Sequence, residues 1–356
     1  MLKVPLVLLG PGKIGRTFLR QYLETQDAIK KQYGIKLIVS GIFDSRGGIT
    51  DRNGISSKAI EAVVQNGLKE EKNYTVEKPV IDHISQLSSP FVVIDTTASQ
   101  NTVPILLKIL KIGGYAVLSN KYPLSSDLTT YKALTNYENQ LLYETTVGAG
   151  LPIISTLREM NETGDRILKI DGCFSGTLGV VFSLMQSNKT FSESVHIAFE
   201  NGFTEPDPRN DLSCLDFARK VLIVSRIMGQ NISLQDISIQ SLYPKKMDSY
   251  TIDQFLTSIK SLDERYRKVT SAAKKRGKTI RCIASVTLTG HTVGLKEVEL
   301  DSDFGTLRGP DNIIQIATNR YNNNPMVIKG PGAGVAVTAA GVLGDVLKIV
   351  KIIAGK

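Results

Sequence analysis

A continuous apolar run over residues 4–9 breaks directly into GPGKIG, and Thr17, Phe18, Leu19, Tyr22 and Leu23 follow at helical spacing. The order is strand, glycine turn, helix. It places Gly10, Gly12 and Gly15 in a complete GxGxxG in the one context that gives this motif meaning. Gly10 permits the tight turn, Gly12 keeps a Cβ out of the ligand's path, and Gly15 lets helix and strand pack closely. The helix N-terminus then favours a pyrophosphate. The feature predicts a dinucleotide-binding start to the chain; a glycine turn without a ligand is the plainer alternative, and position, spacing and flanks weigh against it.

The same grammar continues. IKLIVSGIF ends at Asp44, FVVIDTTA ends near Thr97, YAVLSN ends at Asn120 and Lys121, and QLLYETTVG ends at Gly148, with helical stretches between them. Apolar runs alternating with helices imply a parallel sheet with crossover helices. From Leu151 the pattern changes to a helix, PIISTLREM, then ILKIDGCFSGTLGVVFSLM and the alternating runs IRCIASVTL and VGLKEVEL. We therefore expect an α/β protein: a Rossmann-type doubly wound parallel sheet over residues 1–148 and a second α/β domain over 149–325. A C-terminal segment, 326–356, is expected to pack its helix back on the first domain.

Composition narrows the function classes. The 356 residues carry 43 Lys and Arg against 34 Asp and Glu, a net +9 that suits an anionic ligand as well as nucleic acid. Trp is absent and aromatics are 6%, which argues against base-stacking surfaces. The strongest basic cluster, KKRGK at Lys274 to Lys278, reads as a solvated helix end rather than a nucleic-acid contact. Cys173, Cys214 and Cys282 are widely spaced, as are His83, His196 and His291, so neither a disulfide framework nor metal-ligand spacing emerges. The late apolar stretch VTAAGVLGDVLKIVKIIAG carries Asp345, Lys348 and Lys351 and suits an amphipathic helix better than a membrane span. The expectation is a soluble, cytoplasmic protein with no nucleic-acid or membrane partner.

Two further constellations carry chemistry. Asp44 closes the second strand, where a carboxylate reaches a ribose, while Arg46 suits a 2′-phosphate; the pair leaves the NAD or NADP preference open, and a plain surface turn in DSRGG is the alternative. The second is GFTEPDPRNDLSCLDFARK, residues 202–220, too polar for core. Ser213 followed by Asp216 resembles a capping box and predicts a helix start near Ser213. Asp216 and Lys220 are then i and i+4, above a buried stripe with Ile223 and Ile227. An ordinary helix salt bridge is the bland reading, which Glu205, Asp207 and Asp211 close by make less attractive.

Whole stretches resemble homoserine dehydrogenase: GPGKIG, Asn120-Lys121, YETTVGAGLPIISTLRE, FSGTLGVVFSLM, GFTEPDPRNDLSCLDFARK and GPGAGVAVTAAGVLGD. The likeness spans nearly the full chain. Length and ending look most like the short monofunctional fungal-type enzymes, without an aspartokinase domain or a C-terminal regulatory extension. The resemblance implies that Lys220 donates a proton and that Glu205 and Asp216 bind the amino-acid substrate, with Asp211, Gly176 and Thr177 lining the same pocket. It implies cofactor contacts from Thr97, Lys121, Gly202, Glu205 and Gly334 beside Gly10, Gly12, Lys13, Ile14 and Gly15. It also implies that Glu144, Val147, Ala149 and Leu151 offer oxygens, mainly backbone carbonyls, to a monovalent cation, Na+ or K+; a GAG turn linking two domains is the alternative there. Two departures stand out: Tyr122 replaces the second lysine of many relatives, and Asp44 with Arg46 is not the usual ending of the second strand.

The implied reaction is the reversible NAD(P)H-dependent reduction of L-aspartate 4-semialdehyde to L-homoserine, on the way to threonine, methionine and isoleucine, in a homodimer, with 149–325 as the α/β substrate and dimerisation domain. The substrate's ammonium suits Glu205, and the developing oxyanion needs a proton, from Lys220 or from Lys121. Asp216 beside Lys220 is expected to favour the charged lysine. Two alternatives remain: a thiol-dependent aldehyde dehydrogenase using Cys173, which lacks a placed histidine, and a non-catalytic dinucleotide sensor, against which Glu205, Asp216 and Lys220 together argue.

Overall fold

The structure is a computed structural model that describes residues 1–69, 76–137 and 139–355. It divides into two compact units, 1–150 with 334–356, and 151–333. The first contains β1 (Leu2–Leu9), α1 (Lys13–Tyr33), β2 (Ile35–Phe43), β3 (Gly48–Thr50), α2 (Ser57–Asn66), α3 (Glu77–Ile84), β4 (Val92–Asp95), α4 (Val103–Lys111), β5 (Tyr115–Leu118), α5 (Leu128–Thr135), β6 (Leu141–Leu142) and α6 (Thr145–Gly148). Its sheet runs β3-β2-β1-β4-β5-β6, parallel throughout except for β3, which folds back on β2 as an antiparallel edge.

The alternation of β1 explains the two-sided cover. Val4, Leu6 and Leu8 point to one face, with Phe18, Leu19 and Tyr22 of α1 and Ile60 and Val63 of α2. Val7 and Leu9 point to the other, with Val80 and Ile84 of α3 and Ile105 and Ile109 of α4. Burying both faces requires the continuous apolar run that the sequence shows. The fifth run differs from expectation. Only Leu141 and Leu142 pair with β5, and the chain then turns, with Thr146 N–H and Oγ1 both donating to the Tyr143 carbonyl at 3.2 and 2.8 Å, into α6.

The second unit holds α7 (Ile153–Glu162), β7 (Ile167–Cys173), α8 (Gly176–Gln186), α9 (Phe191–Glu200), α10 (Arg209–Leu212), α11 (Leu215–Ile227), β8 (Ser238–Ile239), α12 (Ile252–Ser258), α13 (Asp263–Lys275), β9 (Lys278–Thr287), β10 (His291–Glu299), β11 (Asp311–Thr318) and β12 (Met326–Pro331). Its sheet, β12-β11-β7-β9-β10-β8, is antiparallel apart from the β10–β8 pair. Helices α8, α11 and α13 pack on β9, and Phe304 and Leu307 cover Cys173, Ile283 and Ile313. Residues 326–331, read from sequence as part of the C-terminal segment, instead form the edge strand β12, because Ile314 and Ile316 of β11 pair with Ile328 and Met326. The KKRGK cluster is tied down: Arg276 pairs with Glu297, and Lys278 with Glu299 at 2.8 Å.

The last helix, α14 (Val335–Ile353), belongs to the first unit and lays Ala339, Val342, Val346, Ile349 and Val350 against the α1 side of its core. Lys356, the end of the C-terminal segment, lies outside the described residues. Among the described residues no helix is long and apolar enough to cross a membrane.

Candidate active site

In the first unit the three glycines are forced by three different neighbours. Gly10 has φ +82°, and a Cβ there would lie 2.8 Å from Thr97 Cγ2 and 2.9 Å from Thr97 N. At Gly15 a Cβ would strike the Gly10 carbonyl and stand 2.8 Å from Thr96 Oγ1. Gly12 is the opposite case, with nothing within 4 Å of its missing Cβ: the space is open. Gly12 also caps α1 without a side-chain hydrogen bond, so the first-turn N–H groups of Lys13, Ile14 and Gly15 are offered outward at the positive end of the helix. A bare cradle of N–H groups with open space above it fits a dinucleotide pyrophosphate.

Asp44 and Arg46 come together as one unit rather than as two independent contacts. Arg46 Nε and Nη2 donate to Asp44 Oδ2 at 3.1 and 2.7 Å, while Asp44 Oδ1 accepts the N–H groups of Arg46 at 2.7 Å and Gly47 at 3.2 Å. The carboxylate is thus saturated from its own loop.

Below Thr97 and Lys121 lies a network that sequence reasoning missed. Asp95, fully buried at the end of β4, accepts Thr97 N–H and Oγ1–H through Oδ1 at 2.9 and 2.7 Å, and the Asn120 amide through Oδ2 at 3.0 Å. Asn120 also donates to the Ser99 carbonyl at 2.6 Å and accepts from Tyr122 N–H at 3.1 Å. The loop that presents Lys121 is therefore clamped on both sides of the lysine. Burial raises the Asp95 pKa, and its hydrogen bonds oppose that. The signal was an aspartate ending the apolar run FVVID.

In the second unit the acidic loop, residues 203–214, is built against α8. Thr177, in the first turn of α8, donates from Oγ1 to the Phe203 carbonyl at 2.6 Å, and Glu205 N–H donates to Asp211 Oδ2 at 2.9 Å. Burial pushes the Asp211 carboxyl up to about 6, helped by the charges of Glu205 and Asp216, against hydrogen bonds from Glu205 N–H and Thr177. Gly176 faces Ala333, whose Cβ would be 2.6 Å from an added Cβ. Gly202 takes φ +69° just after α9 and serves as its stop.

Lys220 forms the expected i, i+4 pair with Asp216, Nζ to Oδ2 3.8 Å, and gains a nearer partner that the sequence did not show, the Phe174 carbonyl, to which Nζ donates at 2.6 Å. The capping box at Ser213 does not form. Residues 209–212 form the separate turn α10, Ser213 Oγ donates back to Asn210 O at 3.2 Å, and the chain passes through Cys214 at φ +61° before α11 begins at Leu215. A left-handed residue at that point breaks the spacing a box needs.

Of the residues implied for a cation, Glu144 donates its N–H to Asp345 Oδ2 at 2.9 Å, and its carboxylate lies 3.5 Å from Lys348 Nζ. Val147 is buried in α6, and Ala149 takes φ +56° as the chain leaves that helix. Leu151 opens the second unit, its carbonyl accepting Ile153 N–H at 2.8 Å. Gly334 caps α14 at φ +153°. Cys173 is a poor nucleophile: burial pushes its thiol up to about 12, and Sγ lies 3.2 Å from the Cys282 carbonyl.

Fold and glycine cradle define a Rossmann-type dinucleotide-binding unit, coupled in one chain to a unit carrying clustered carboxylates and a half-buried lysine. The family model for homoserine dehydrogenase matches residues 152–347, and that for the homoserine dehydrogenase NAD-binding domain matches 10–141. The chain belongs to the homoserine dehydrogenase family. It is 38% identical over 362 residues to homoserine dehydrogenase of Saccharomyces cerevisiae, covering 97% of this chain and 98% of that one. It is 37% identical over 351 residues to the chloroplastic bifunctional aspartokinase/homoserine dehydrogenase 1 of Zea mays, of which it spans 38% of the length. A crystal structure of a Candida auris protein of unknown function superposes with a TM-score of 0.86 at 30% identity, covering 98% of both chains.

Proposed function

We propose that the protein catalyses the reversible NAD(P)H-dependent reduction of L-aspartate 4-semialdehyde to L-homoserine, a step towards threonine, methionine and isoleucine. The observation that carries this reading is that Lys220 on α11 pairs with Asp216, whose charge, with that of Glu205, also acts on Asp211 of the acidic loop. One cation and several anions in one place suit a substrate with an ammonium at one end and a reducible carbonyl at the other.

Bound dinucleotide supplies the hydride to the aldehyde carbon. Lys220 holds its proton on Nζ and transfers it to the carbonyl oxygen as negative charge develops there. Phe174 O orients that ammonium, with the Asp216 carboxylate 3.8 Å away. Lys121 is the second candidate donor, and the clamped Asn120 loop keeps it oriented. Glu205 takes the substrate ammonium, Thr177 with its backbone takes the carboxylate end, and Asp211 fixes the Glu205 backbone. The paired Arg46 offsets the repulsion that Asp44 alone would exert on a 2′-phosphate, which supports use of both NADH and NADPH.

The same proposal includes a monovalent cation, Na+ or K+, on the oxygens of Glu144, Val147, Ala149 and Leu151; the positive φ of Ala149, a conformation alanine seldom takes, supports a turn shaped for its carbonyls. It includes a homodimer formed through the second unit, and a reducing cytoplasmic setting, in keeping with three free cysteines.

The test is homoserine oxidation by the purified chain, followed as reduction of NAD+ and NADP+ side by side. Reduction of at least one dinucleotide is expected. Reduction of neither, with dinucleotide binding intact, overturns the proposal.

A further inference from the structure

Arg209 lies in the middle of the acidic loop, and none of the chemistry above uses it. Its guanidinium has 16% side-chain exposure and spends its donors in two directions. Towards its own loop, Nε donates to Asp207 Oδ1 at 2.9 Å and Oδ2 at 3.1 Å, and Nη2 donates to Oδ2 at 2.6 Å. Towards a segment some forty residues later, Nη1 donates to the carbonyls of Tyr250 at 2.6 Å and Asp248 at 2.9 Å, with Met247 O at 3.4 Å. The Phe255 ring lies 5.8 Å from Cζ.

A loop whose only regular element is the four-residue α10 has no helical stability of its own. Its shape must come from fixings. Thr177–Phe203 and Asp211–Glu205 lie at the site itself. Leu242 N–H, donating to Leu212 O at 2.9 Å, holds the far end. Arg209 joins the stretch between Glu205 and Asp211 to the 245–250 turn with a rigid, multi-donor group. An ammonium in its place lacks the planar fork that serves a carboxylate and two carbonyls at once.

We propose that Arg209 is a positioning residue that sets the substrate affinity of the loop by riveting Asp207 and the 247–250 carbonyls together, so that Glu205 and Asp211 are held in register. Its donors go to Asp207 and to the 247–250 carbonyls, so it acts on the site through these neighbours. This inference rests on the homoserine dehydrogenase reading above.

The experiment compares wild type, Arg209→Lys and Asp207→Asn for kcat, for KM of homoserine, for dinucleotide affinity by titration calorimetry, and for amide hydrogen exchange. Removing positioning while leaving the proton donor intact raises KM with little change in kcat. We expect KM to rise by about tenfold in Arg209→Lys, kcat to stay within about threefold, and dinucleotide affinity to hold. Exchange should speed up in 203–214 and 245–250 together and nowhere else. Asp207→Asn, which keeps the guanidinium and weakens one partner, should move KM the same way by less. A homoserine KM unchanged in both variants, or faster exchange spread evenly over the second unit, overturns the proposal. Absence of homoserine oxidation in wild type sinks the functional reading instead, and the exchange pattern still decides whether Arg209 couples the two segments.

Discussion

The Lys220 ammonium sits 2.6 Å from the Phe174 carbonyl and 3.8 Å from the Asp216 carboxylate, so a backbone oxygen orients it more closely than its charged neighbour does. Phe174 follows the last residue of β7, which makes the lysine's position a property of the sheet rather than of the helix that carries it. Lys220→Ala should therefore lower kcat by on the order of 10² to 10⁴ while dinucleotide affinity survives. Turnover near the wild-type value would remove Lys220 as the donor and turn attention to Lys121.

Glu205→Gln removes the charge we propose faces the substrate ammonium but keeps the backbone N–H that Asp211 holds. The homoserine KM should rise by about tenfold or more, the scale of a charge-assisted hydrogen bond. An unchanged KM in the folded variant contradicts the assignment.

Asp211 has a pH signature of its own. Its carboxyl is raised from 3.8 to about 6 in the folded chain, chiefly by burial. A group that holds its proton more tightly folded than unfolded makes unfolding easier as pH rises between those two values. Its contribution to stability should fall between pH 3.8 and about 6 and stay level above. Urea melts at several pH values, compared with Asp211→Asn, isolate it: the variant should lose that part of the slope. Identical slopes in the two proteins would show that Asp211 is not the group responsible.

The Asp44–Arg46 pair predicts opposite effects on the two cofactors. Arg46→Ala leaves an unpaired carboxylate and should raise the KM for NADP+ more than that for NAD+; Asp44→Ala frees the guanidinium and should do the reverse. Equal changes for both dinucleotides place the pair away from the ribose.

Light scattering after gel filtration at micromolar concentration tests the homodimer. A mass near the single-chain 38.9 kDa counts against it, and twice that value supports it.

What was legible in the sequence is what is local. The β1 run, the GxGxxG and α1 are contiguous, so their strand, turn and helix could be read residue by residue, down to Gly12 as the open position. The acidic loop was recognisable from its composition, but its mechanics were not. Arg209 finds its carbonyls about forty residues downstream, and Lys220 finds Phe174 forty-six residues upstream, distances over which spacing carries no information. The helix starts within two residues of Ser213, but without the box, because a sequence motif does not register a left-handed residue at Cys214. Asp95 carries no signal of its partner within FVVIDTTA, and the segment after β5 reveals it as the anchor for Asn120. β12 went unrecognised because an edge strand of MVIKGP has its pattern set by its partner β11.

All three cysteines lie within the 151–333 unit, each at most 5% exposed, and the other unit contains none. A small thiol reagent added to the native protein can therefore react only as fast as that unit breathes open. The chain thus carries an internal clock for one half of itself: labelling rates report excursions of the 151–333 unit while the dinucleotide half stays chemically silent. Comparing that clock in the presence and absence of dinucleotide would reveal whether ligand bound to one unit is felt as slower opening of the other.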